Sequence, residues 1–140
     1  MKMNKVFVDS NIWVYAFADD SDMRGLIARE FLENATITME LAISYQVINE
    51  ATHVLKRFGR SELELRKAIS LMFGMCKFYN FSQNHAMLAS ELRETISISY
   101  WDSHIVASAI IAGCETLVSE DFQDRSLIRD VRIKNIFKAN

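Results

Sequence analysis

The 140-residue chain contains no proline, only four glycines and only two cysteines, and no long apolar run. No linker, repeat or low-complexity segment interrupts it, so residues 1–140 are expected to form one domain. At this size folding buries roughly two thirds of the unfolded chain's surface, so neither disulfides nor a structural metal is required for stability. Cys76 and Cys114 lack CxxC spacing and have no cysteine or histidine cluster beside them, which argues against a zinc site or redox motif. Two buried, reduced thiols are expected instead. The longest apolar candidate, Ile105 to Cys114, is half the roughly 20 residues that a membrane span needs. The apolar run Val6 to Val8 is too short for a signal-peptide core, so a cytoplasmic protein with no membrane partner is expected.

Neither sign of charge dominates. Sixteen Lys and Arg face eighteen Asp and Glu, a net charge of −2, which excludes a histone-like nucleic-acid binder and an acidic disordered chain. The distribution is uneven: from Arg125 onward there are five basic residues and one acidic, whereas residues 1–124 carry an acidic excess.

Half of the chain is hydrophobic, arranged in short apolar strands that alternate with helical patterns. Val6 to Val8 reads as a strand ending in the capping residues Asp9, Ser10 and Asn11. A buried helix over Ile12 to Ala18 follows, then a second from Asp22 that stops near Asn34. Leu41 to Ile43 reads as a strand, with Thr36 to Met39 as possible further members. Ser44 caps a helix to Phe58 that Gly59 ends. Ser61 with Glu64 forms a capping-box signature. A strand at Lys77 to Phe81, a helix over Gln83 to about Thr95 and a long helix over Tyr100 to Ala112 come next. Strands at Thr116 to Val118 and Val131 to Phe137 complete the pattern. The expected fold is a three-layer α/β/α arrangement around a mostly parallel sheet of about five strands.

In open sheets of this kind, functional groups gather beyond the carboxyl ends of the strands. Asp9, Asp102 and Asp121 fall at or near such places, and Glu50 lies two turns into the helix that leaves the second strand. The topology can bring these residues to one rim although they lie about 41, 52 and 19 positions apart. Each also has an ordinary structural reading: Asp9 as a helix cap, Glu50 as an ion-paired helix-edge residue, Asp102 as a helix-dipole partner, Asp121 as a turn residue. Four carboxylates at one rim repel, each pair at about 5 Å by on the order of 3 kcal/mol at an effective dielectric near 20. A cation relieves this, and oxygen-only ligands favour Mg²⁺ or Mn²⁺ over zinc, suited to phosphodiester chemistry. His53, His85 and His104 share no spacing and read as surface or boundary residues. Tyr100 and Trp101 can stack on a base, but aromatics opening a helix are more often packing residues.

Four segments in this order, Val6-Phe7-Val8-Asp9-Ser10-Asn11, Gln46-Val47-Ile48-Asn49-Glu50, Tyr100-Trp101-Asp102-Ser103-His104-Ile105-Val106-Ala107 and Leu117-Val118-Ser119-Glu120-Asp121-Phe122, resemble the PIN-domain family. Within it they look like the VapC-type ribonuclease toxins of bacterial toxin–antitoxin pairs. The resemblance implies an endoribonuclease dependent on Mg²⁺ or Mn²⁺, with Asp9, Glu50, Asp102 and Asp121 as catalytic metal ligands and Asn11 and Ser119 in support. Glu120 and Asp124 compete with Asp121 for the fourth place. Similar sequences carry a glycine shortly after this region, whereas Gln123-Asp124-Arg125-Ser126 has none. Such a toxin acts on RNA, pairs with a small antitoxin and dimerises; Ile12 to Phe17, Leu26 to Phe31 and Met72 to Met75 are candidate apolar faces. Lys56, Arg57, Arg60, Arg125 and Arg129 are candidate RNA contacts. The competing readings are a PIN-like binding module without nuclease activity and a Mg²⁺-dependent phosphatase, the latter weakened because Asp9-Ser10-Asn11 is not Asp-x-Asp.

Overall fold

The computed structural model describes residues 3–18 and 22–138; residues 19–21 and the two ends of the expected 1–140 domain lie outside the described residues. The elements in chain order are β1 (Lys5–Val8), α1 (Ser10–Phe17), α2 (Met23–Thr38), β2 (Glu40–Ser44), α3 (Tyr45–Arg57), α4 (Glu62–Met75), β3 (Cys76–Tyr79), α5 (Gln83–Thr95), α6 (Tyr100–Ile111), β4 (Thr116–Val118), β5 (Leu127–Ile128) and β6 (Val131–Lys134). They form one six-stranded sheet in the order β3-β2-β1-β4-β6-β5. Every neighbouring pair is parallel except β5 with β6. The chain moves outward from β1 through β2 to β3, then returns past β1 to β4. Right-handed crossovers therefore put α1 to α4 on one face and α5 with α6 on the other. The packing agrees: α1 touches α2 and α3, α3 touches α4, and α5 pairs with α6. The turning point of the strand order lies beside β1, between β2 and β4, where open α/β sheets hold their ligands.

Local chemistry accounts for most boundaries. Ser44, Ser61 and Ser99 each accept a backbone N–H of the helix they begin, and Glu64 completes the capping box by accepting from the Ser61 N–H at 3.0 Å. Gly59 and Gly113 take φ values of +89° and +76° where α3 and α6 end. The core joins both helical layers to the sheet through Phe7, Trp13, Ile43, Leu117 and Ile133, all essentially inaccessible. Cys114 is buried and Cys76 partly so, both as free thiols.

Several details differ from the sequence expectation, among them that β3 runs from Cys76 to Tyr79 and stops short of Phe81. Helix α2 runs on to Thr38 and does not stop near Asn34, because Ala35 is buried and Thr36 and Thr38 bond back to the carbonyls of Glu33 and Asn34. Residues 36–39 therefore lie outside β2. The last expected strand ends at Lys134 and gains a short antiparallel partner, β5. His85 and His104 are buried, although His53 is exposed as expected, because Phe81 lies across both rings at 5.8 Å.

The loop without glycine solves its geometry at a cost. Arg125 adopts φ +65°, held by its N–H to the Ile133 carbonyl and by Asp124 Oδ1, which accepts the Asn135 N–H at 2.7 Å. A left-handed conformation costs a non-glycine residue roughly 1–2 kcal/mol, partly offset by the lower entropy of its unfolded chain. Arg125→Gly should therefore raise the urea midpoint by the equivalent of up to about 1 kcal/mol, and Arg125→Val should lower it. A glycine variant less stable than the parent would contradict this account.

Candidate active site

Strand β1 delivers Asp9 to the turning point. Val8 pairs with Val118, and the Asp9 N–H donates to the Val118 carbonyl at 2.9 Å. The chain then enters α1 with Asp9 as its cap, Oδ1 accepting the Ser10 N–H at 2.7 Å. The capping role set against Asp9 in the sequence is thus real, and it leaves Oδ2 for a second partner. That partner is Ser119, which follows β4 and donates its hydroxyl at 2.7 Å. A hydroxyl offers one proton and two lone pairs, and Ser119 uses all three. It accepts the Asp121 N–H at 3.1 Å and the Asn11 amide at 3.5 Å.

Asp9 is only 3% exposed, and burial pushes its pKa up to about 6. The bonds from Ser119 and Ser10 work against that rise, and the charges of Asp121 and Glu50 add to it. Glu50, half-buried on α3, is raised first by burial and further by Asp102 and Asp121, while Gln46 holds it down. Asp102, in the first turn of α6, is raised by burial and by Asp121, against the Ser99 hydroxyl. Asp121 therefore acts on the other three acids, and the four form one electrostatic group. The rivals for the fourth place are engaged elsewhere. Glu120 accepts the Tyr15 hydroxyl at 2.5 Å and faces Arg24 at 3.4 Å, and Asp124 holds the Asn135 N–H.

Among the described residues, no three His, Cys, Asp or Glu side chains converge closely enough to enclose an ion on their own. The donor set nonetheless suits Mg²⁺ or Mn²⁺: it is all oxygen, and Mg²⁺ takes one or two carboxylates and completes its shell with waters and phosphate oxygens. Asn11 Oδ1, buried beside this group, has no hydrogen-bond partner, so a further oxygen donor is available there.

The basic residues singled out in the sequence are not brought to these acids. Arg57 lies two turns beyond Glu50, roughly 10 Å along α3, and Lys56 pairs with Glu62 there. Arg60 lies further along the same end, in a groove with Phe17 and Leu65. Arg129 sits in the β5–β6 turn, ahead of the amino end of β6. Arg125 lies alongside β6 in a groove with Thr116 and Arg132. Two further cations were not singled out in the sequence. Arg93 bonds the Ser103 hydroxyl at 2.7 Å, and Lys134 ends β6 opposite Val118 and lines the same groove as Arg125. The period-two alternation of β6, with Val131 and Ile133 buried, was the available signal for Lys134.

Next to Glu50, a cleft of about 490 Å³ opens between α3 and α6. Its walls include Tyr45, Phe81, Tyr100 and Trp101, all exposed. The packing role expected of Tyr100 and Trp101 is therefore not what the structure shows. α6 buries Ser103 to Ala109, and its first two residues project beyond the core.

A sequence model of the PIN domain matches residues 6–127. The chain belongs to the PIN-domain family. No curated protein sequence matches it at a significant level. Among solved structures it is similar to VapBC2 from Rickettsia felis, bound to a promoter DNA fragment (20% identity, 94% of this chain and 98% of that chain, TM-score 0.70). It is also similar to a toxin–antitoxin complex from Klebsiella pneumoniae (24% identity, 90% and 94% covered, TM-score 0.68). A third is VapC20 from Mycobacterium tuberculosis, described as a toxin cleaving the sarcin–ricin loop (16% identity, 80% and 86% covered, TM-score 0.66). At these identities the likeness establishes the fold, a PIN fold over nearly the whole chain.

The buried acid gives this PIN domain a pH signature. With its folded pKa above the unfolded value of 3.8, Asp9 favours the folded state most at low pH and loses that contribution as pH rises through about 6. In metal-free buffer, Asp9→Asn should therefore be the more stable protein at pH 8, by up to about 3 kcal/mol, with the gap closing by pH 4. Thermal melts of both proteins across this range check it; a gap that widens toward acid would contradict the burial of an ionised carboxylate.

Proposed function

We propose that this PIN domain is a divalent-metal-dependent endoribonuclease, the VapC-type toxin of a toxin–antitoxin pair. The observation that carries the reading is the buried Asp9 carboxylate, fixed at the turning point of the sheet and electrostatically joined to Glu50, Asp102 and Asp121. The toxin–antitoxin structures that share its fold support the biological setting.

Asp9, Glu50, Asp102 and Asp121 would hold Mg²⁺ or Mn²⁺. When bound, such an ion supplies Lewis-acid stabilisation of the charge that develops on a phosphodiester attacked by water. Ser119 and Asn11 position Asp9: the hydroxyl fixes Oδ2, and the Asn11 amide fixes the hydroxyl. Asp121 has its backbone tied to Ser119 and its side chain exposed, so it meets solvent and substrate at the mouth of the group. Arg93, bonded to Ser103 near the start of α6, is the cation offered to offset the repulsion between RNA phosphates and the acids. The expected contacts Lys56, Arg57, Arg60, Arg125 and Arg129 serve at most a distal part of a long RNA.

The partners follow the same reading. A small antitoxin covers the acid end. Of the apolar faces considered for a homodimer, Ile12 to Phe17 is spent largely on the chain's own core and Met72 is buried, which leaves Leu26 on α2 and Phe73 on α4 exposed; Met23, Ile37 and Leu71, outside those faces, are exposed as well.

Single carboxylate-to-amide variants separate the acids. Asp9→Asn, Asp102→Asn and Asp121→Asn should each lower Mn²⁺-dependent cleavage of a mixed RNA pool at least 100-fold while leaving the circular dichroism spectrum unchanged, whereas Asp124→Asn should cut RNA normally at some loss of stability. Full cleavage by Asp102→Asn would sink the assignment.

A further inference from the structure

We propose that the aromatic cleft between α3 and α6 receives one unpaired nucleobase of a single-stranded RNA, beside the phosphate presented to the acids. The inference rests on the ribonuclease reading and specifies its substrate. Glu50 belongs to both the acid group and the cleft wall, and Asp102 directly follows Trp101. A nucleotide carries its base and its phosphate on one sugar, so an RNA that brings a phosphate to Glu50 and Asp102 has a base at hand for the adjoining cleft.

The walls are apolar, exposed and already in place. Trp101 is 63% exposed, yet its ring stands edge-on to Tyr100 at 5.1 Å. Tyr100 is held by the Arg93 guanidinium at 4.5 Å from its ring centre and by the edge of His104 at 4.8 Å. The Gln46 amide donates to the Trp101 carbonyl at 3.3 Å and ties the two walls together. Rings held this way lose little freedom when a base stacks on them.

The polar edge of the cleft separates a base from an apolar side chain. His104 lines the cleft and is 8% exposed, with its Nδ1 buried and without a hydrogen-bond partner. Gln46 and Asn49 add amide groups to the same wall. An aliphatic or aromatic residue of a protein partner would leave these amide groups against apolar atoms. A nucleobase offers ring nitrogens and exocyclic groups along the same plane that stacks. Duplex RNA keeps its bases stacked and paired, so it cannot fill the cleft.

The chain has two tryptophans, and Trp13 is fully buried, which makes Trp101 a reporter of the cleft. The probe is a single-stranded RNA hexamer in Ca²⁺ buffer, tested intact, as a duplex, and with each residue in turn made abasic. We expect the intact single strand to quench Trp101 fluorescence and the duplex not to. One abasic position should weaken binding roughly 5- to 150-fold, the range for loss of one stacked base. By fluorescence anisotropy, Trp101→Ala should weaken the intact hexamer by a similar factor and make the abasic substitution neutral. A flat abasic series with Trp101→Ala binding and cutting RNA like the parent would overturn the base pocket and leave the nuclease standing. Absence of both binding and Mn²⁺-dependent cutting by the parent would remove the nuclease reading and this inference with it. If RNA leaves Trp101 unquenched and Trp101→Ala turns a sedimenting dimer into a monomer, the cleft is a surface between two copies and the proposal is wrong.

Discussion

The acid-bearing end of the molecule depends on one carboxylate kept in order where water hardly reaches it. Burial alone drives Asp9 toward its neutral form, and two donors, the Ser119 hydroxyl and the Ser10 N–H, hold it against that tendency. The Ser10 N–H comes from the next residue of the chain, but the Ser119 hydroxyl depends on the β1–β4 register: with Val8 opposite Val118, Asp9 and Ser119 leave the sheet side by side. A slip of one residue would turn Ser119 to the other face and leave Asp9 buried with donors from Ser10 alone. The pairing of two short central strands is therefore as much a condition of the site as the acids themselves.

Helix α6 shows the same economy. Its body is buried on all sides between Ser103 and Ala109, so it is fixed by packing and not by its own propensity. Its first turn, just outside the core, carries Asp102, whose charge is favoured at a helix N-terminus. Tyr100 and Trp101 occupy the same turn, and the Arg93–Ser103 bond locks it to α5. The rigid interior thus sets both the position of an acid and the orientation of the two rings beside it.

Much of this was legible in the sequence because it rests on local signals. Strands of three to five apolar residues, serine caps and a capping box placed nearly every element within a few residues, and the acids at strand ends followed from the alternation of strand and helix. The candidate cations were illegible for a physical reason: a helix leaving the carboxyl end of a parallel strand runs back toward the other edge. Arg57 and Arg60, near in sequence to Glu50, are thereby carried away from it. The exposed rings at Tyr100 and Trp101 were missed because composition shows that a residue is apolar, not whether its helix turn lies inside the core. β5 was missed because a two-residue strand has no periodicity to read.

The uneven charge of the chain has two separate causes. The acidic excess before Arg125 includes the four carboxylates gathered at the strand ends, whose mutual repulsion the proposed cation offsets. The basic excess after it lies along the β5–β6 edge, where Arg132 and Lys134 point outward between buried Val131 and Ile133. An open sheet edge invites pairing with another chain, and short strands bearing cations discourage it. β5 ends the sheet after two residues, and Arg125 and Arg129 bracket it with left-handed backbone that no longer strand accommodates. On this account the C-terminal positive charge protects the fold, and Arg125, Arg132 and Lys134 share one groove beside β6.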